Sequence, residues 1–234
     1  MKIRLTLFIC FLFCSSTAVA QKISYGLTTG LIFDNPTGTV LLDSVQVTLQ
    51  GDNDRQPYYG GYISYELNQL LTFTSGINYY NAGTSFLVYN AKKECAFCPL
   101  MKAGSVSHRS IEVPLLVEAK LPLPIGRVFL SAGIIPNFRL SRKGDPYFYY
   151  PDAGQGVSDV LPAIRSSIKP VVWKYALGAG ATIWRLRLEA RWQYDLARTA
   201  TNPIQVWGKS YAFNSKNNTI RFGVGYQLNW KKKE

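Results

Sequence analysis

His108, Ser110 and Glu112 stand at i, i+2 and i+4. A base, a hydroxyl and a carboxylate are the types that nucleophilic catalysis needs, and on a β-strand the three share one face. Residues two apart on a strand are separated by about 6.6 Å, which is long for a direct hydrogen bond. The spacing favours a strand entering from a polar loop with His108 at its rim, and no catalytic residue is assigned. Cys95 and Cys98 form a Cys-x-x-Cys pair. A thioredoxin-like site would need a βαβ context, and zinc would need two more ligands where only His108 is close in sequence. A local disulfide is the preferred reading, with free thiols next. Asp34, Asp43, Asp52 and Asp54 crowd one stretch, but their spacing matches no calcium loop. Gly178-x-Gly180 sits within a strand-like run and not before a helix, so it does not read as a nucleotide loop. No metal and no cofactor is predicted.

The chain that must position these residues has 234 of them, 47% hydrophobic and 17% charged, with a formal net charge of +12. That balance excludes a disordered chain and a coiled coil. A mean hydropathy of −0.02 is too low for a bundle of transmembrane helices. Lys2 and Arg4, the apolar run Leu5 to Cys14 and the small-x-small site Ala18-Val19-Ala20 predict a secretory signal over 1–20, cleaved before Gln21. The run is too short for a spanning helix, which takes about 20 residues. Cys14 would suit a lipoprotein only behind a small residue, and Phe13 is bulky. Removing Lys2 and Arg4 lowers the charge from +12 to +10. For an exported basic chain, anionic lipid is a better partner than nucleic acid.

Beyond the signal, residues 21–234 read as one domain with a period of two. Leu186, Leu188, Ala190, Trp192, Tyr194 and Leu196 alternate with Arg187, Glu189, Arg191, Gln193 and Asp195. Ile220 to Trp230, Val171 to Ile183 and Ile111 to Ala119 alternate likewise, and weaker versions run through 23–33, 58–67, 71–83 and 127–142. Period two puts one set of side chains on each face of a strand. Pro114 and Pro136 fall inside runs, so each predicts a bulge or a missing ladder bond.

The eight predicted strands are joined by short and long connections in alternation. The short ones are 68–70, 122–126 and 184–185; the long ones are 34–57, 84–107, 143–170 and 199–217, expected to be mobile. The fold class is therefore all-β, an eight-stranded antiparallel up-and-down transmembrane β-barrel with both ends of the domain on the short-turn side. A lipocalin-like barrel alternates too, but with its apolar face inward. Aromatics near the strand ends argue for interfacial girdles: Tyr79, Trp173 and Trp192 on the long-loop side, Tyr65 and Trp230 on the other. Eight strands leave an interior that side chains fill. The filling here is Glu66, Glu112, Glu118, Lys120, Arg139, Lys174, Arg187, Glu189, Arg191, Asp195 and Arg221, with glycines as spacers. Opposite signs are mixed along it, so the charges are expected to pair across strands and plug the barrel. Arg139, Arg142 and Lys143 end the fifth strand on the outer side and are candidates for lipopolysaccharide phosphates, against ordinary rim charges.

Five stretches carry a family likeness: Tyr58 to Tyr79, Ser110 to Lys120 (SIEVPLLVEAK), Val128 to Phe138, Tyr175 to Asp195 (YALGAGATIWRLRLEARWQYD) and Ile220 to Leu228. In these the chain resembles the eight-stranded outer-membrane β-barrel proteins of Bacteroidota known as porin-family or PorT-like. The resemblance implies the barrel fold and an outer-membrane location, and carries no catalytic residue. Such barrels end at or near an aromatic read by the barrel-insertion machinery; here Lys231-Lys232-Lys233-Glu234 follows Trp230.

The expected function is non-enzymatic: a structural or interaction module, serving envelope integrity or a secretion or uptake assembly. The alternatives are a small-solute porin and an outer-membrane lipid-modifying enzyme. The expected partners are outer-membrane lipid and lipopolysaccharide, the insertion machinery and, for an interaction module, another envelope protein; nucleic acid is not among them.

Overall fold

The computed structural model describes residues 23–43, 45–50, 55–90, 102–140, 157–197 and 201–229. The predicted signal, Cys95, Cys98, Asp52, Asp54, Arg142, Lys143 and Trp230 lie outside them. In chain order the elements are β1 (Ile23–Thr37), β2 (Thr39–Leu42), β3 (Val45–Gln50), β4 (Gln56–Glu66), β5 (Leu71–Asn90), β6 (Lys102–Glu112), β7 (Leu115–Leu123), β8 (Gly126–Leu140), α1 (Val157–Ser167), β9 (Val171–Ile183), β10 (Leu186–Asp195), β11 (Ile204–Val206), β12 (Lys209–Tyr211) and β13 (Lys216–Gln227).

Antiparallel pairing runs from β1 through β4, β5, β6 with β7, β8, β9, β10 and β13, and β13 returns to β1. The wall is a closed barrel of eight strands, with β6 and β7 as two halves of one. Closure leaves no sheet edge in the wall, the condition for strands to cross lipid. The break between β6 and β7 falls at Val113 and Pro114 without a change of register: Glu112 faces Asn137 and Leu115 faces Ile134. Pro114 and Pro136 supply no N–H to the ladder there, and Val113 N donates to the Pro136 carbonyl at 3.0 Å. The two prolines cost ladder bonds and create no bulge.

Alternation sorts the two faces. On β10, Arg187, Arg191, Gln193 and Asp195 are buried, while Leu186 and Leu188 are exposed. On β8, Ser131, Ile135 and Asn137 are buried, while Leu130 is 67% exposed. Apolar outside and charged inside is the reverse of a water-soluble barrel, and so large a contiguous apolar surface requires a non-aqueous neighbour. Tyr79 and Trp173 point outward near one end. Trp192 is half-buried and packs edge-on against Tyr175, with ring centres 5.3 Å apart. Tyr65 is half-buried at the other end, where Tyr25, Tyr226 and Trp184 are exposed. From Trp173 to Trp184, a rise of about 3.3 Å per residue and a tilt of about 40° give a height of about 28 Å. That fits the apolar band of about 25 Å that such barrels present. Trp184 opens the two-residue turn between Ile183 and Leu186, with φ of 53°.

Beyond the wall, the described parts of three long connections are folded together. β2 and β3 form a hairpin, and β3 pairs with the outer end of β5, continuing the line of β4. β11 and β12 form a second hairpin through Trp207-Gly208, both in the left-handed conformation that tight hairpins require. α1 lies against β11, and Ile168 bridges to Thr201. Val40, Leu42, Val47, Phe86, Ile164, Ile204 and Phe213 bury one another at the centre of this cap. Water, not lipid, is the alternative environment here, so the cap gathers an apolar core of its own. Outside it, Lys209 Nζ donates to Asp43 Oδ2 at 2.8 Å. That hydrogen bond, more than the Coulombic attraction, holds the ammonium above the usual lysine range.

Phe213 is fully buried in the cap. Phe213→Ala is expected to destabilise it by about 3–5 kcal/mol. Limited proteolysis should then cut the outer hairpins far sooner, while the wall strands stay protected.

Candidate functional site

The interior is where the chain concentrates its chemistry, and its outer half is spanned by one hydrogen-bonded chain. Asn137 Nδ2 on β8 donates to Tyr80 Oη on β5 at 3.0 Å. Tyr80 Oη donates to Glu112 Oε1 on β6 at 3.0 Å. Lys174 Nζ on β9 donates to the same carboxylate oxygen at 3.2 Å and to Thr219 Oγ1 on β13 at 3.3 Å. Thr219 Oγ1 donates to Asp34 Oδ1 on β1 at 2.6 Å. Asn217 extends the chain: its side chain donates to Asp34 at 3.1 Å and its backbone N–H to Asp195 Oδ2 on β10 at 2.9 Å. Glu112 and Lys174 are wholly buried, and this chain ties together strands from opposite sides of the lumen.

The inner half is held by guanidinium groups. Arg187 forms a fork with Glu118, at 3.2 and 2.6 Å, and reaches Glu189 at 3.0 Å. Its planar group also lies 4.1 Å from the centre of the Phe129 ring. Glu189 binds Arg191 as well. Another guanidinium belongs to the outer half: Arg221 reaches Glu112 at 3.4 Å and stacks 3.4 Å above Tyr58. At the short-turn mouth, Glu66 is shared by Lys120, at 3.7 Å, and Arg127. Glycines make room for this filling. A Cβ on Gly223 would lie 2.0 Å from Tyr58 Oη, so the tyrosine occupies the space that the glycine leaves.

At the outer mouth, beneath the cap, a cavity of about 40 Å³ is lined by Asp34, Tyr80, His108, Asn137 and Arg139 from the wall and by Leu49, Phe86 and Ile168 from the cap. Its size suits a few water molecules. His108 is buried here, and its Nδ1 has no hydrogen-bond partner. It does not form a relay with Ser110 and Glu112: the three face Ala82, Tyr80 and Asn78 in turn across the β5 ladder, and Glu112 is bound by Tyr80, Lys174 and Arg221.

The predicted interior charges thus fall into two connected groups and a short-turn mouth. Glu112, Lys174 and Arg221 meet in the outer half; Glu118, Arg187, Glu189 and Arg191 meet in the inner half; Glu66 and Lys120 sit at the mouth. Asp195 accepts from Asn217. Arg139 lines the mouth cavity beside His108, on the inner side of the wall. Tyr58, Tyr80, Arg127, Asn137 and Thr219 were not singled out in the sequence, and Asp34 was weighed only as a calcium ligand. Each has the inward parity of its strand, the signal that would have found them. Among the described residues, no group of three or more His, Cys, Asp or Glu is placed to hold a metal ion.

No protein-family model matches the sequence, and no curated protein matches it closely enough to count as a relative. Solved structures are similar in backbone. One is the outer membrane protein AlkL, determined by solid-state NMR in DMPC lipid bilayers, with 8% identity, 91% of this chain and 93% of that chain covered, and a TM-score of 0.47. Another is the outer membrane protease OmpT from Escherichia coli, with 10% identity, 88% and 97% covered, and a TM-score of 0.44. A third is the translocator domain of the autotransporter NalP from Neisseria meningitidis, with 11% identity, 96% and 98% covered, and a TM-score of 0.31.

Thr219→Val keeps the side chain's shape but removes the hydroxyl that accepts from Lys174 and donates to Asp34. It is expected to cost about 1–3 kcal/mol, the penalty for leaving buried polar groups unpaired. Thr219→Ser should cost far less. Urea midpoints of the barrel refolded in lipid vesicles measure both.

Proposed function

We propose that this chain is a non-enzymatic outer-membrane barrel that serves as a structural or interaction module of the envelope, without a continuous aqueous channel. One observation carries the reading: the lumen is crossed by the bonded chain from Asn137 to Asp195 and, below it, by the Glu118–Arg187–Glu189–Arg191 group. An open pore would separate these charges and leave them unpaired in a narrow, poorly hydrated bore, at several kcal/mol each. The cap adds an apolar layer over the outer mouth.

An outer-membrane site is supported by the lipid-facing exterior of a closed barrel, the predicted export signal and the likeness to Bacteroidota porin-family barrels. What remains accessible is the apolar outer face, the rim and the cap. Those are the surfaces a docking or envelope-stabilising module uses, with lipid, lipopolysaccharide and another envelope protein as partners. A lipid-modifying enzyme built on His108, Ser110 and Glu112 would need the three to form a relay, whereas they face Ala82, Tyr80 and Asn78 in turn and Glu112 is bound by Tyr80, Lys174 and Arg221.

The test is conductance. The purified protein in planar bilayers should give no large, stable single-channel steps, and vesicles containing it should exclude small sugars. Steps of constant size that scale with protein would replace this reading with a small-solute porin. Crosslinking in intact cells tests the module reading: a reproducible protein partner is expected, and recovery of lipid alone would narrow the role to envelope stability.

A further inference from the structure

Arg191 on β10 and Arg221 on β13 are direct cross-strand partners, and both point into the lumen, with 5% and 2% of their surface exposed. Like charges directly opposite on paired strands repel, and burial strengthens the repulsion. Their bonds to protein are incomplete. Arg191 uses its Nη2 on Glu189, leaving Nε and Nη1 without a partner; Arg221 uses Nη1 on Glu112, leaving Nε without one. A guanidinium can only donate, so these three nitrogens call for an acceptor.

The neighbouring inward positions carry further unbonded groups. Gln193, two residues along β10, is fully buried with neither amide atom bonded. Ser131 on β8 is separated from Arg191 only by Gly178 on β9, and its buried hydroxyl has no partner. That hydroxyl leans over the glycine, where an added Cβ would come within 2.6 Å of it. The carboxylates within reach of the pair are already divided: Glu189 serves Arg187 as well as Arg191, and Glu112 serves Lys174 as well as Arg221. Asp34 and Asp195 are bonded to Thr219 and Asn217, and Asp195 faces Lys174 directly across the β9–β10 ladder.

We infer that the lumen binds one small monovalent inorganic anion, of halide size, between Arg191 and Arg221, with the Ser131 hydroxyl and the Gln193 amide as flanking donors. The anion accepts from the unbonded guanidinium nitrogens, offsets the repulsion between the two guanidinium groups and locks the plug. Water would accept the same hydrogen bonds but would leave the repulsion uncompensated.

The experiment refolds the whole protein from urea into detergent with sodium bromide as the probe, and compares it with the same protein refolded in sodium methanesulfonate at equal ionic strength. Crystals from the bromide sample should show one anomalous peak within hydrogen-bonding distance of Arg191 and Arg221. The folding equilibrium should favour the barrel as bromide rises, about a hundredfold at a hundred times the dissociation constant. Arg191→Met should abolish both the peak and the bromide dependence. Should that variant not fold, Ser131→Ala keeps both arginines and should weaken the bromide dependence several-fold. No anomalous peak at the pair, with water there instead and a stability indifferent to bromide, overturns the inference; so does a bromide dependence that Arg191→Met or Ser131→Ala leaves unchanged.

Discussion

A carboxylate or guanidinium enclosed by eight strands has lost most of its water, and that loss is worth several kcal/mol per ion unless other groups replace it. Much of this structure follows from that requirement. Glu112 is surrounded by Tyr80, Lys174 and Arg221, each from a different strand. Glu118 is held in a fork by Arg187, which Phe129 also covers. Register matters because a slip of one residue would turn each of these groups into lipid and each leucine into the lumen. The interior charges thus restrict the fold to one alignment of its strands as well as filling it.

The outer face meets the opposite demand. Lipid offers no hydrogen bonds, so the backbone must satisfy itself around a closed ladder. The chain departs from that at Val113–Pro114 and Ile135–Pro136, where two prolines face the same interval of the wall and the strand resumes in register. Leu116, Ile135 and Ala176 form an apolar inner patch beside the gap. Above the wall water returns, and three connections from distant parts of the sequence gather their apolar residues into the cap.

Much of the wall was legible in the sequence because strand alternation is a local signal. Leu186 to Leu196 shows both faces of β10 without reference to any other residue, and the short turns give the antiparallel order. The partners of the charges were less legible. That Glu118 meets Arg187, and Glu112 meets Lys174, depends on how the sheet closes, which no single strand records. The interior aromatics were hidden for a related reason. Tyr58 and Tyr80 look like members of an interfacial girdle by type, and only their parity places them inside. The cap was not legible at all. Val160, Ala163 and Ile164 have helical spacing, but the run is short and contains Pro162, and what α1 packs against comes from residues 40–49 and 204–213.

Ion pairs across the lumen hold the strands in their alignment. A double-mutant cycle on Glu112 and Lys174 tests it most directly, since the two lie on β6 and β9 and meet only through the interior. The measurement is the urea unfolding free energy in vesicles of the wild type, Glu112→Gln, Lys174→Met and the double variant. Each single change is expected to be strongly destabilising and the double variant to recover a large part of the loss, with a coupling of about 2 kcal/mol or more. Effects that add to within about 0.5 kcal/mol would mean the two groups act independently, and would contradict it.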